Sequence, residues 1–310
     1  MSKLKTAVIG VGYLGKFHAD KYAAHEDCDL IAVVDANADT AKEIADKHGV
    51  QALTDYKELL GKVDAVSIAA PTTLHHEIAR DFLENGSHVL IEKPITVTVD
   101  EADDLIELAL VNDRLIQVGH LERFNAALMD IGDTLETPTF IESHRLAPFN
   151  PRATDVNVIL DLMIHDIDII LEIVKSDIKE MRVSGTQVLT NSTDIANARL
   201  EFENGCVANI TASRVSAKTE RKIRIFQHNA YISVDFHNHV LSIYKKGDRE
   251  IHPGIPEIVS EKSTCENSDA LNLEIIAFID SIKNGTPIIV SGEDGRRALH
   301  TAIRISALLT

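Results

Sequence analysis

The chain has 310 residues, of which 45% are hydrophobic and 25% are charged, enough for two domains with cores of their own. No stretch reaches the roughly 18 uninterrupted apolar residues that a membrane span needs, so no membrane partner is expected. The formal net charge of −17, from 31 basic and 48 acidic residues, argues against nucleic acid as a partner, because the overall field repels phosphate chains.

The three cysteines, Cys28, Cys206 and Cys265, are isolated from one another in the sequence. Their spacing predicts neither a disulfide framework nor a metal site, and it fits a reducing cytoplasm. The apolar run 7–14 follows two lysines, as in a secretory signal, but glycines interrupt it and no cleavage site follows. We therefore predict a cytoplasmic protein without a metal.

The first 120 residues alternate short β-branched runs with amphipathic segments that end at glycines or asparagines. Strands are predicted at Thr6–Gly10, Leu30–Asp35, Ala65–Ala70, His88–Glu92 and Leu115–His120, and helices at Leu14–His25, Thr40–His48, His75–Asn85 and Glu101–Asn112. Strands and helices that alternate with tight connections predict a parallel sheet with helices on both faces.

The pattern changes after residue 121. A long apolar helix is predicted at Val158–Val174, and alternating strands follow it, with a hairpin signal at Asn204-Gly205. Helices at Leu271–Lys283 and Gly295–Leu309 close the chain. The sequence therefore predicts an α/β protein in two domains, a Rossmann domain at 1–121 and an α+β domain with a mostly antiparallel sheet at 122–310.

A glycine-rich motif joins the first strand to the first helix. Gly10, Gly12 and Gly15 form G-x-G-x-x-G, which allows a tight turn, a close approach of pyrophosphate to the backbone, and close packing of helix on strand. Asp35 ends the second strand, where an acid binds the ribose hydroxyls and repels a 2′-phosphate; the alternative is a surface aspartate that only ends a strand. This context predicts a dinucleotide site that favours NAD over NADP.

The tripeptide Glu92-Lys93-Pro94 follows the fourth predicted strand, at the carboxyl edge of the sheet, where open α/β folds bind ligands. A lysine there can reach the nicotinamide end of a cofactor, although by itself Lys93 also fits an ordinary surface lysine.

A polar stripe is predicted on the apolar helix of the second domain. Asp161 and His165 are four residues apart, and Asp168 follows three residues after His165, so an α-helix would align all three. Buried acids and imidazoles are costly unless they are paired or face a cavity. The stripe therefore indicates either the wall of a site or an internal Asp–His hydrogen bond that stabilises the core.

Four motifs in this order resemble the Gfo/Idh/MocA oxidoreductases. They are Gly10-x-Gly12-x-x-Gly15, Ala70-Pro71-Thr72-Thr73-x-His75, Glu92-Lys93-Pro94 and Asp161-x-x-x-His165. The resemblance implies NAD as cofactor and a catalytic set of Lys93, Asp161 and His165. It also implies that the cofactor contacts are Gly10, Gly12, Tyr13, Leu14, Gly15, Asp35, Pro71, Thr72, His75, Glu92 and Lys93.

Within that family, three further segments are similar to members that oxidise UDP-N-acetylglucosamine at C3. The segments are Gly119–Asn125, Arg145–Asn150 and Asp161–Asp168. One departure is that Val158, Ile159 and Leu160 replace the paired glycine usual ahead of the catalytic acid, which would narrow the pocket or shift the entry of the helix.

The resulting expectation is hydride transfer between NAD and a hydroxyl of a sugar or nucleotide sugar. Because the net charge opposes a dianion, a diphosphate would need local cations, and Arg123, Arg145 and Arg152, with Asp168, are the predicted substrate contacts. The alternative is that these arginines pair with acids such as Glu122, Glu142 or Asp155.

Other functions stay open at this stage. The same fold could act on a free sugar, an inositol or a dihydrodiol, and a more distant possibility is a cofactor-binding sensor or scaffold without turnover. The family also implies a homodimer or homotetramer built on the sheet of the second domain.

Overall fold

The computed structural model describes residues 2–150, 156–264 and 269–309. Its backbone contacts divide the chain into two compact units. The first comprises Met1–Leu121 and Asp269–Leu299, and the second comprises Glu122–Ser268 and His300–Thr310. The segment 269–299, which the sequence assigned to the second domain, therefore groups with the first 121 residues by its contacts.

The first unit is built on a six-stranded parallel sheet. Its strands are β1 (Leu4–Ile9), β2 (Cys28–Val34), β3 (Gln51–Leu53), β4 (Ala65–Ile68), β5 (His88–Glu92) and β6 (Ile116–Gly119). They lie in the order β3-β2-β1-β4-β5-β6, which is the order of dinucleotide-binding folds. Successive strands are added on one side of β1 up to β3 and on its other side from β4 onward, so the topological switch point lies between β1 and β4. Ligands of open α/β sheets bind outside the carboxyl ends of the strands at this point.

Helices connect these strands, and side-chain caps explain several of their ends. They are α1 (Gly15–Ala24), α2 (Ala38–His48), α3 (His75–Glu84) and α4 (Val99–Val111). The Asn37 side chain caps the first turn of α2, Gly49 ends that helix in the left-handed conformation, and Thr98 with Glu101 forms a capping box on α4. The predicted Rossmann sheet is confirmed.

The second unit contains an eight-stranded sheet in which β7 and β10 form a parallel pair and the other neighbours are antiparallel. Its strands are β7 (Pro138–Leu146), β8 (Ile178–Thr186), β9 (Ile195–Phe202), β10 (Val207–Ser213), β11 (Glu220–Gln227), β12 (Ala230–Asp235), β13 (Val240–His252) and β14 (Ile255–Thr264). The hairpin predicted at Asn204-Gly205 joins β9 to β10, and Gly205 adopts a φ of 87° there. The mostly antiparallel sheet is confirmed.

The remaining helices are α5 (Ala126–Met129), α6 (Ile164–Val174), α7 (Ala270–Asn284) and α8 (Gly292–Ala307). The apolar side of α6 is fully buried in the second unit, as its composition predicted. Over the described ranges, no helix combines the length and the apolar composition that crossing a membrane requires. In the same ranges, no three or more acidic, histidine or cysteine side chains are grouped so as to hold a metal ion.

Candidate active site

The three glycines of the G-x-G-x-x-G motif have different surroundings. Gly10 has a φ of 85°, and a Cβ there would lie 2.7 Å from the Ala70 nitrogen. A Cβ on Gly15 would lie 1.8 Å from the Gly10 carbonyl oxygen, so helix and turn pack too closely for any other residue. A Cβ on Gly12 would meet no atom within 4 Å, which leaves the open backbone that a pyrophosphate needs.

The start of α1 suits an anion. Leu14 precedes the helix without a side-chain cap, and the first turn carries no acidic residue, so the terminal N–H groups point to where phosphate binds in this fold. Tyr13, Leu14 and Phe17 are 71%, 49% and 41% exposed beside the loop, an apolar surface that a bound nucleotide would cover. These observations fit a dinucleotide at the first turn.

Asp35 and the glycine loop are held together. The Val11 amide donates to Asp35 Oδ2 at 3.0 Å, and the Asn37 amide donates to Asp35 Oδ1 at 2.9 Å. The carboxylate therefore lies beside the loop, half-buried, as the ribose-binding prediction requires.

The segment after β4 runs through a short 3₁₀ turn, Thr72–Leu74, into α3. Pro71 is exposed and Thr72 is half-buried, while His75 is buried as the first residue of the helix. The His75 ring nitrogens lie 2.8 Å from the Ala70 carbonyl oxygen and 3.0 Å from that of Pro94. His75 thus ties together two loops at the carboxyl edge, which favours support of the site over direct contact with a cofactor.

Glu92 and Lys93 stand where the sequence predicted, at the carboxyl end of β5. The Glu92 side chain is 15% exposed, and its Oε1 lies 3.0 Å from His18 Nε2. Burial by itself would raise the pKa of Glu92, but the hydrogen bond with His18 and the charges of His18 and Lys93 lower it. Glu92 is therefore a carboxylate at neutral pH.

A second acid close to Glu92 was not predicted from the sequence. Glu274, on α7, is fully buried, and neither of its carboxyl oxygens has a hydrogen-bond partner among the described residues. Burial, reinforced by the charge of Glu92, raises the pKa of Glu274 well above its usual range. No residue pattern signalled it, because α7 reads as an ordinary amphipathic helix.

We expect Glu274→Gln to stabilise the protein increasingly as the pH rises. Above about pH 4.3 the unfolded chain ionises this acid while the folded chain keeps it protonated, so the wild type loses about 1.4 kcal/mol per pH unit until the folded pKa is reached. Urea unfolding at pH 5, 6 and 7 measures the effect. Glu43→Gln, an exposed acid on α2, is the control that should show no such trend. Parallel stability curves for wild type and Glu274→Gln would contradict the assignment.

The predicted continuous helix in the second unit is wrong in one detail. Residues Ile159–Met163 form a π turn, and the α-helix α6 begins only at Ile164. Asn157 caps this entry, with its side-chain oxygen accepting from the Ile159 and Leu160 amides at 3.1 and 3.0 Å. π turns inside helices occur frequently at functional sites.

Asp161 lies in the π turn and His165 in the first turn of α6, and both side chains are half-buried. Four residues make about one turn of either kind of helix, so Asp161 and His165 lie one turn apart.

Asp168 departs from the predicted stripe. It is only 2% exposed, and its carboxylate accepts from Arg123 Nε and Nη2 at 2.7 and 2.9 Å, a two-bond pair. The stripe fails at this third position because a buried cation draws Asp168 to the interior of the unit. These contacts argue against Asp168 and Arg123 as direct substrate ligands.

Arg145 is also committed to internal acids. Its guanidinium donates to Asp166 at 2.8 Å and to Glu122 at 2.8 Å, and the side chain is 3% exposed. Pairing with Glu122 was the alternative considered from the sequence, whereas Glu142 pairs instead with Arg224. Arg152 and Asp155 lie outside the described residues.

Val158, Ile159 and Leu160, which stand in place of the paired glycine, lie just ahead of Asp161. Val158 and Ile159 are fully buried in the core of the second unit, and Leu160 is half-buried. Their bulk is accommodated by apolar packing, beside the π turn that begins at Ile159.

A Rossmann sheet with a glycine loop and an acid at the end of its second strand, followed by a large, mostly antiparallel sheet, defines a class of nicotinamide-dependent oxidoreductases. The model of the GFO_IDH_MocA oxidoreductase family with its NAD-binding Rossmann fold matches residues 4–120, and the GFO/IDH/MocA C-terminal domain matches residues 130–233. The chain belongs to the Gfo/Idh/MocA family, as the motifs predicted, and it is an NAD-binding oxidoreductase.

Two relatives resemble the chain over nearly its whole length. UDP-N-acetylglucosamine 3-dehydrogenase from Acidithiobacillus ferrooxidans is 40% identical over 98% of this chain and 97% of its own. Its solved structure matches with a TM-score of 0.94 and covers 100% of this chain and 98% of that one. Myo-inositol 2-dehydrogenase from Thermotoga maritima is 27% identical over 96% of this chain and 93% of its own.

Proposed function

We propose that this protein is an NAD-dependent dehydrogenase that oxidises the C3 hydroxyl of UDP-N-acetylglucosamine. The observation that carries the proposal is the 40% identity over 98% of the chain with an enzyme named for this reaction. Because the similarity extends through both units, it supports a shared substrate as well as a shared cofactor fold. The motifs at Lys93, Asp161 and His165 supply the side chains that the reaction needs.

The proposed chemistry divides between two kinds of group. The bound nicotinamide supplies the acceptor for the hydride. His165 takes the proton of the reacting hydroxyl, and Asp161, one turn earlier, orients the imidazole and favours its charged form. Lys93, at the end of β5, donates a hydrogen bond to the oxygen that becomes the ketone.

The substrate diphosphate requires local cations in a chain of net charge −17. Arg123 and Arg145 are engaged with buried carboxylates of α6, so we assign them to the internal scaffold of the second unit. Arg152 stays a predicted direct contact with the diphosphate.

The second candidate is a dehydrogenase of free inositol or of a free sugar. It is favoured by the 27% identity to myo-inositol 2-dehydrogenase, which also covers nearly the whole chain. A sensor or scaffold without turnover is disfavoured, because such a protein would have no need to retain Lys93 and His165 together.

An assay of NADH formation separates these candidates. With NAD in excess, we expect kcat/KM for UDP-N-acetylglucosamine to exceed that for free N-acetylglucosamine and for myo-inositol by about a hundredfold or more, the effect of losing two charge-assisted hydrogen bonds to phosphate. The same assay with His165→Ala shows whether a contaminating dehydrogenase produces the signal. Faster turnover of an uncharged free sugar would reject the nucleotide-sugar substrate and leave the dehydrogenase assignment standing.

The cofactor preference follows from Asp35. Its carboxylate would repel a 2′-phosphate, and Ala36 and Asn37, which follow it, offer no cation for that phosphate. We expect NADH to bind at least about tenfold more tightly than NADPH, and Asp35→Ala to reduce this ratio. Fluorescence titration with each nucleotide measures it, and equal affinities for the wild type would be the contrary result.

We also propose a homodimer or homotetramer assembled on the sheet of the second unit. On the sheet face opposite α6, Phe140, Phe226, Tyr231 and Tyr244 form a row with ring centroids 5.8, 4.8 and 5.1 Å apart. Tyr244 is 38% exposed, so part of this aromatic surface is available for association. Light scattering that gives the mass of one chain at micromolar concentration would argue against it. The buried free thiols Cys28 and Cys206 support a cytoplasmic setting.

A further inference from the structure

A chain of hydrogen-bonded polar side chains crosses the interior of the first unit. His18, on α1, is 1% exposed, and its two ring nitrogens contact different strands. Nδ1 lies 3.1 Å from Ser67 Oγ on β4, and Nε2 lies 3.0 Å from Glu92 Oε1 on β5. The hydroxyl of Tyr22, one turn further along α1, lies 2.9 Å from the same Ser67 oxygen. Burying four polar groups is costly unless their geometry is needed, since apolar residues would pack there without penalty.

The last group in this series of hydrogen-bonded side chains is the carboxylate of Glu92, the residue before Lys93. Glu92 is backed by Gly119, because a Cβ at Gly119 would lie 3.0 Å from Glu92 Oε2 and 3.1 Å from its Cα. One carboxylate oxygen is thus held by an imidazole, and the other occupies space that a glycine leaves free. The Glu92 side chain consequently has little rotational freedom at the carboxyl edge of the sheet.

The charge of the cluster is also restricted. Glu92 is ionised, whereas burial and the neighbouring Glu92 keep Glu274 protonated. Of the two acids, the ionised one is therefore Glu92, which lies at the edge of the sheet and next to Lys93 in sequence.

We propose that His18 is a positioning residue that couples the phosphate-binding start of α1 to the Glu92-Lys93 segment at the nicotinamide end of the cofactor site. The proposal rests on the proposed function insofar as it needs NAD to bind at this edge. His18 lies one turn after Gly15, so the helix that receives the pyrophosphate also fixes Glu92 through one imidazole. A histidine suits this role because its two nitrogens point in divergent directions and reach both strands from one rigid ring.

The test is a double-mutant cycle on the dissociation constant of NADH, read by fluorescence titration without any turnover. We expect His18→Leu to raise this constant about tenfold, the effect of losing a hydrogen bond to a charged group, and Glu92→Gln to raise it as well. If His18 acts through Glu92, the double variant binds no more weakly than Glu92→Gln alone. Additive effects, or a His18→Leu constant within twofold of wild type, overturn the proposal.

Two further variants guard against a fold defect. Gly119→Ala displaces the Glu92 carboxylate and leaves the His18 side chain unchanged, so it should weaken NADH binding even though the close contact with the Glu92 Cα also lowers the thermal midpoint. His48→Leu is the matched control, since His48 makes a comparable 2.8 Å contact with Asp20 at the far end of α2. It should lower the thermal midpoint and leave the NADH constant unchanged. If His18→Leu does not fold, His18→Gln replaces it in the cycle, with a smaller rise expected because one hydrogen bond is kept.

Asp35→Ala distinguishes failure of this inference from failure of the proposed function. If the wild type binds NADH, Asp35→Ala weakens that binding and the His18 cycle is additive, then the cofactor site stands and the coupling through His18 is rejected. A wild-type chain that binds no nicotinamide dinucleotide overturns both.

Discussion

His165→Ala is expected to lower kcat with UDP-N-acetylglucosamine by about 10²–10⁴-fold, the range typical for removal of a general acid–base group. The imidazole lies in the first turn of α6, half-buried and four residues after Asp161. A neutral imidazole near pH 7 suits abstraction of a hydroxyl proton. Removing the imidazole leaves the hydroxyl without a base while hydride still has to leave the same carbon.

Measuring NADH affinity as well as turnover shows whether His165→Ala affects the chemical step alone. NADH should bind to His165→Ala within twofold of its wild-type constant, because the predicted cofactor residues belong to the first unit and His165 belongs to the second. His237→Ala, an exposed histidine in a turn of the second unit, is the control and should turn over normally. Normal turnover by His165→Ala would remove it from the chemical step, and a general loss of NADH affinity would indicate a folding effect instead.

Arg145→Met is expected to destabilise the protein by about 3–5 kcal/mol, because it leaves two acids in the interior without their cation. The guanidinium is 3% exposed and pairs with Asp166, 1% exposed, and with Glu122, 12% exposed. Burial disfavours the charged guanidinium, but the attraction of Asp166 and Glu122 outweighs it and raises the pKa of Arg145. Arg145 therefore stays charged throughout the working pH range.

Urea unfolding at pH 7 measures this loss, and two variants define its origin. Arg224→Met breaks the more exposed pair with Glu142 on the same sheet and should cost at most about 1 kcal/mol. Adding Asp166→Asn to Arg145→Met should restore part of the stability, since it removes one of the uncompensated charges.

The same variant decides between the two roles considered for Arg145. If it contacts the diphosphate, Arg145→Met raises the Michaelis constant for UDP-N-acetylglucosamine and leaves stability nearly unchanged. That outcome would reject the scaffold role that its ion pairs support. The same comparison of stability with the Michaelis constant tests Arg123, because its partner Asp168 is equally buried.

Much of the first unit could be predicted because its signals are local. Strand β5 was predicted at the bounds the structure has, and the other elements predicted in the first 121 residues differ by at most two residues at either end. The short strand β3 (Gln51–Leu53) was not predicted. A hydrophobic strand followed by Gly10, Gly12 and Gly15 restricts the backbone within a few residues, so no distant contact is needed to infer the turn. The position of Asp35 beside the glycine loop could be inferred for the same reason, since only one helix and one strand separate it from the glycines.

The segment that carries Asp161 and His165 shows what residue spacing could not predict. Regular spacing predicted one α-helix and one polar stripe, and it could not reveal the π turn at Ile159–Met163 or the inward direction of Asp168. The direction of Asp168 depends on a partner distant in sequence, since Arg123 is 45 residues away. The arginines could be identified as candidates from their residue type, but whether each faces a ligand or a buried acid depends on packing.

The sequence by itself therefore determined the class of fold, the glycine turn after the first strand and the family, because glycine geometry, hydrophobic periodicity and motif order are properties of neighbouring residues. Only the tertiary structure decided that His18 joins α1 to Glu92, that Glu274 is buried beside a second acid, and that Arg145 neutralises Asp166 and Glu122. The physical reason is desolvation: the protonation and pairing of an ionisable group depend on what surrounds it after folding, and those surroundings come from distant parts of the chain.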